Sequence, residues 1–164
     1  IDALGASEWN LASLGRREER GYLSSKGAGV DIEDLWLIER ATGATFDLVP
    51  DGLGAVTQSY FLSGETGPLE SFNAYNSSAA QADEAPLQFY VLLVASGKKQ
   101  TELYAGSLAE KQTVMLGGPY TSILHLEMLS DNRLALYAER EDAVQRVVFD
   151  LEAMTQVEEA EVAP

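Results

Sequence analysis

The chain has 164 residues, 46% of them hydrophobic, and carries 26 acidic against 11 basic residues for a net charge of −15. Length and apolar content support one packed domain, residues 1–164, and exclude global disorder. The acidic balance excludes a nucleic-acid or anionic-membrane surface, which needs clustered Lys and Arg, and the lack of cysteine excludes disulfides, thiolate metal sites and cysteine nucleophiles.

Taken in chain order, Ser7–Gly15 fits either a turn and a half of helix capped by Ser7 or, the preferred reading, a first strand with Trp9, Leu11 and Ser13 on one side; the charged connection Arg16–Arg20 and the short strand Gly21–Ser25 follow. Asp34–Arg40 is a strand with Leu35 and Leu37 on one face and Trp36 and Ile38 on the other. Ala41-Thr42-Gly43 is a tight turn with a glycine where positive φ is needed, and Thr45–Val49 returns from it. Pro50-Asp51-Gly52 is the next turn and Val56–Leu62 the next strand. Ser63–Pro86 is the softest stretch. A further strand is expected at Leu69–Tyr75, and residues 76–86 (NSSAAQADEAP), small, polar and without period, are expected to be a mobile surface loop. Gln88–Ala95 is continuously apolar, which predicts a strand covered on both faces. Thr101–Leu108 and Thr113–Leu116 continue the pattern, and Gly117-Gly118-Pro119 closes this unit.

Ser122–Val157 is the most regular part. Leu124, Leu126 and Met128 alternate with His125 and Glu127. Leu134, Leu136 and Ala138 alternate with Ala135, Tyr137 and Glu139, and Val147, Phe149 and Leu151 with Val148, Asp150 and Glu152. A two-residue period puts the two sets on opposite faces of a sheet. Ser130–Asn132 and Arg140–Val144 are turns, rich in residues that bond their own backbone or tolerate αL. The segment is therefore an antiparallel meander. The acidic end, Glu158–Pro164, is expected to fray. No apolar run approaches the roughly 18 residues needed for a membrane-spanning helix. A start on Ile1 leads us to expect a processed chain, exported or organelle-targeted, or a piece cut at a domain boundary.

Leu35–Leu48 (LWLIERATGATFDL), Leu103–Leu116 (LYAGSLAEKQTVML) and Val147–Ala160 (VVFDLEAMTQVEEA) align without gaps as strand, connection and strand. Tyr90–Val94 precedes the second as Leu134–Ala138 precedes the third, at a spacing of about 40–50 residues expected for propeller blades. The first segment resembles the outer strands of blades in TolB-like and prolyl-oligopeptidase-type β-propellers, and Arg133–Ala153 is similar to their middle strands. The resemblance implies propeller-blade-like sheets. The alternative all-β architecture is a small lipocalin-like barrel; Gly5-Ala6-Ser7-Glu8-Trp9 is faintly similar to the N-terminal Trp strand of such barrels.

No convergent catalytic set emerges. His125 is the single histidine. Ser122 and Asp131 share its strand and turn and would not converge with it as nucleophile and orienter, and no G-x-S-x-G elbow is present. Asp31, Glu33 and Asp34 lack the spacing of a calcium loop. One histidine and no cysteine give zinc no ligand set, and no glycine-rich phosphate loop appears. No cofactor and no metal site is therefore expected. Glu139, Glu141 and Asp142 occupy a hairpin tip, where acid–base work is not expected. The aromatics Trp36, Tyr60, Phe61, Phe72 and Tyr75 cluster in the first half, beside the soft loop, and are the partner-binding candidates. The expectation is a non-enzymatic protein-binding or scaffold module, belonging to a larger assembly. The alternatives are a small-ligand or chromophore carrier with a barrel cavity, and the propeller portion of a larger hydrolase.

Overall fold

The computed structural model describes residues 1–3, 8–16, 31–50, 52–69 and 86–163; for residues 2, 3, 14–16, 31–33 and 163 only the backbone is described. The described residues form β1 (Asp2–Ala3), β2 (Trp9–Arg16), β3 (Asp31–Glu39), β4 (Thr45–Asp47), β5 (Val56–Leu62), β6 (Gly67–Pro68) and β7 (Phe89–Ala95). These are followed by β8 (Thr101–Ser107), β9 (Val114–Tyr120), β10 (Ser122–Leu129), β11 (Arg133–Arg140), β12 (Ala143–Asp150) and β13 (Thr155–Ala163), with no helix among them. All pairings are antiparallel. An eight-stranded sheet runs β1-β2-β3-β5-β7-β8-β9 with β4 also on β3, and a five-stranded sheet runs β13-β12-β11-β10-β6. The protein is thus all-β and antiparallel, as the two-residue period predicts.

The continuously apolar β7 explains how the sheets stack. Phe89, Val91 and Leu93 face one core, and Tyr90, Leu92 and Val94 the other. The core between the sheets joins β5, β7, β8 and Tyr120 to Leu126, Met128, Leu134, Leu136, Ala138, Val147 and Phe149 of the smaller sheet. Each such side chain contributes roughly 1.5–3 kcal/mol on full burial. Among the described residues, the other core is built within the eight-stranded sheet, from Trp9, Leu11, Leu35, Leu37, Val56, Phe61, Tyr90, Leu92 and Val94, with Leu48, Val49 and Leu108 from the connections. A sheet buries one of its own faces only by curling. A register shift between Val56 and Gln58 helps. It lets Val56 and Phe61, an odd number of residues apart, enter the same core.

The curl is fastened by side chains. Lys111 Nζ stands 4.9 Å from the Trp9 ring centroid and 4.5 Å from that of Phe46. Thr113 Oγ1 donates to the Leu48 carbonyl at 2.6 Å, and the Tyr90 hydroxyl lies 2.6 Å from Thr113 Oγ1. Among the described residues no ladder joins the two ends of the sheet and no barrel closes, which corrects the lipocalin-like alternative. The repeat noted in the sequence does fall on the hairpins β3–β4, β8–β9 and β12–β13. The strands pair into sheets of eight and five rather than into separate four-stranded blades, because β7 continues its ladder onto β5.

Two strands differ from expectation. The Gly117-Gly118-Pro119 stretch does not end β9, which runs on to Tyr120. Proline is tolerated at a sheet edge, where its missing N–H is not needed. Gly117 is required there, since a Cβ would meet the Tyr120 hydroxyl and the Phe149 ring. Only Thr121 then separates β9 from β10, and its N–H donates to the Glu139 carbonyl at 2.8 Å as the chain passes between sheets. The acidic end is not frayed either: β13 pairs with β12 along its length although residues 155–162 are all exposed. Register shifts leave Val157 and Val162 as extra residues in this edge strand, and both are exposed. Near the start of β12, the buried Gln145 Oε1 has no hydrogen-bond partner.

Candidate partner-binding face

The inward side chains of β10, β11 and β12 are consumed by the core, so their outward faces carry what chemistry the sheet offers. Register decides the neighbours. Between β11 and β12 the two-residue turn Glu141-Asp142, with φ of 51° and 65°, pairs Arg140 with Ala143. Counting back puts Tyr137 opposite Arg146. The turn containing Asp131 and Asn132 puts His125 opposite Tyr137. His125, Tyr137, Arg146 and Ala160 thus form one row across four strands, and Glu127, Ala135, Val148 and Glu158 the next.

Within the first row, the Tyr137 ring lies 5.7 Å from that of His125, and the Arg146 guanidinium carbon 6.0 Å from the Tyr137 centroid. Arg146 Nε donates to the Tyr137 hydroxyl at 3.1 Å. His125 Nε2 is 3.6 Å from Glu127 Oε2, linking the rows. His125 is exposed, and Tyr137 and Arg146 are half-buried. Ala135 and Val148 are wholly buried although neither belongs to a core cluster. Neither therefore offers surface to a partner, and the face presents Tyr137 with Arg146 at its hydroxyl, and Glu127 and Glu158 in the next row. Aromatics and arginine are the side chains enriched where proteins dock.

On the opposite side of the same sheet, Arg140 covers the Tyr120 ring at 4.9 Å and comes within 3.9 Å of Glu159. Burial, aided by Glu159 and opposed by Arg140, pushes the Tyr120 hydroxyl above the usual tyrosine value. This group is structural: it seals the end of the core.

The residues singled out in the sequence are scattered. Tyr60 and Phe61 are 2% and 1% exposed. They fill the two cores from alternate faces of β5, which corrects their place among surface candidates. Trp36 is half-buried on β3, opposite Ala12 and Asp47. Phe72, Tyr75, the strand expected at 69–75 beyond Leu69, and the loop 76–86 before Pro86 lie outside the described residues. A shallow cleft of about 220 Å³ is lined by residues 61–63 and 65–69. Ser122 pairs with Glu139 and Asp131 sits in the turn beyond Leu129, so neither adjoins His125 in the ladder. Among the described residues no group of three His, Asp or Glu stands close enough to hold a metal ion, and no helix is long and apolar enough to cross a membrane.

Sequence reasoning missed the Tyr137–Arg146 pair, although its signal was present. A two-residue turn fixes register, and register alone names the cross-strand pairs. No family model matches the chain, and no curated protein or solved structure matches it.

Proposed function

We propose that this protein is a non-catalytic protein-binding module that meets its partner through the outer face of β10–β13. The supporting observation is the Tyr137 ring flanked by His125, with its hydroxyl held by Arg146, on the outer face of the sheet. A rigid aromatic whose hydroxyl is already held by a guanidinium loses little conformational freedom on docking. The partner is a protein whose basic side chains meet Glu127 and Glu158, consistent with a chain of net charge −15.

The test replaces His125 or Glu158, both exposed on this face, with a photo-crosslinking phenylalanine, and Met115, exposed on β9, as a control. In an extract of the source cells, a discrete adduct should form from positions 125 and 158. Excess unmodified protein should compete it away, and excess Arg146→Gln protein should not. Equal adducts from position 115, or competition by Arg146→Gln as strong as by wild type, would refute the assignment of the face.

A further inference from the structure

We infer that Tyr137 and Arg146 form a binding site for a single peptide carboxylate flanked by basic residues; this rests on the reading of the same face as the docking surface. Arg146 Nε donates to the Tyr137 hydroxyl oxygen at 3.1 Å, so the hydroxyl keeps its own proton for another acceptor. No described residue takes that proton. The terminal guanidinium N–H groups likewise meet no carboxylate among the described residues; on this sheet Glu127 and Glu159 pair with His125 and Arg140. The arrangement is a donor-only set: one O–H and a planar fork, half-buried and already oriented. Such a fork matches a carboxylate with two parallel bonds.

The surroundings choose among anions. Glu127 and Glu158 stand in the neighbouring row, on either side of Ala135 and Val148. They repel a multiply charged anion such as a phosphorylated chain, and attract Lys or Arg on both sides of one acid. Half-burial of Tyr137 and Arg146 lowers the local dielectric, which strengthens a charged hydrogen bond formed there. Ala160, in register with Arg146, puts no bulk or charge between the fork and a peptide lying along β13.

The experiment titrates ¹⁵N-labelled protein with acetyl-Lys-Asp-Lys-amide and with its Asn counterpart, following the Arg146 Nε–Hε resonance and the backbone amides. The Asp peptide should shift Arg146 and Tyr137 saturably. The Asn peptide should bind about tenfold or more weaker, the scale of one charge-assisted hydrogen bond. Arg146→Gln should abolish the difference between the peptides. Tyr137→Phe, which keeps the ring, should reduce it by about threefold to tenfold. If both peptides shift the amides of Ala135, Val148 and Ala160 equally, the carboxylate site is overturned while the docking face stands. If the Asp peptide shifts neither Arg146 nor these amides, both are overturned.

Discussion

The fastening of the curled sheet invites a double-mutant cycle. Thr113 has one hydroxyl proton, and it goes to the Leu48 carbonyl at 2.6 Å; the 2.6 Å contact with Tyr90 is therefore donated by the tyrosine. Tyr90 and Leu48 are both wholly buried. Tyr90→Phe deletes a donor and leaves the Thr113 oxygen still engaged through its own proton, so it should cost about 0.5–1.5 kcal/mol. Thr113→Val keeps the shape but strands the Tyr90 O–H and the Leu48 carbonyl, each worth about 1–3 kcal/mol when buried unsatisfied, and should cost about 2–4 kcal/mol. Adding Tyr90→Phe to Thr113→Val removes one stranded donor. The double variant should then be no less stable than Thr113→Val alone, a coupling of about 1 kcal/mol or more. Urea unfolding followed by tryptophan fluorescence reads all four proteins. Additive losses, or a Thr113→Val cost below that of Tyr90→Phe, would refute the proton order assigned to the relay.

Other outcomes follow from the same contacts. Gln145→Met replaces a buried oxygen that has no partner by a similar apolar volume, and should raise stability by about 1 kcal/mol in the same urea assay. Lys111→Ala removes the ammonium from the Trp9 and Phe46 rings; it should cost about 0.5–2 kcal/mol and alter the Trp9 emission spectrum. Burial raises the Tyr90 and Tyr120 hydroxyls above the ordinary 10.0, because the folded state disfavours the phenolate. Their stabilising share is full below pH 10 and is lost as pH rises through the raised folded values, so thermal midpoints should fall above pH 10. Tyr90→Phe should shrink that alkaline loss, as read by the midpoint difference between pH 8 and pH 11.

The parts legible in the sequence are those where one face of a strand is buried and the other wet. Val56–Leu62 is predicted with the bounds that β5 has, and Leu35 and Leu37 are buried while Trp36 and Ile38 are half-exposed. Gly43 adopts a φ of 74° in its expected turn. Burial of both faces of β7 follows from its unbroken apolar run. The failures have a common cause: edge strands owe their existence to a neighbour's backbone and not to their own pattern. The Gly-Gly-Pro of β9 and the glutamates of β13 carry no period, yet both strands are held by ladders to β8 and β12. Pairing of β6 with β10 depends on Gly67 and Pro68 meeting Met128 and Glu127, a long-range event without local signal. Two of the aromatic candidates are buried for a related reason. Tyr60 and Phe61 look available in a strand read alone, and only the second sheet and the curl reveal that both faces of β5 are filled.

The extra residues Val157 and Val162 bear on how copies of this molecule behave when crowded. Each interrupts the even spacing of N–H and C=O groups along the outermost strand, so a neighbouring copy finds only short regular runs, and those runs bring glutamate against glutamate. Excising both valines would straighten that border into an uninterrupted template. Slow fibre growth at high concentration, absent from the parent chain, is the expected price of the repair.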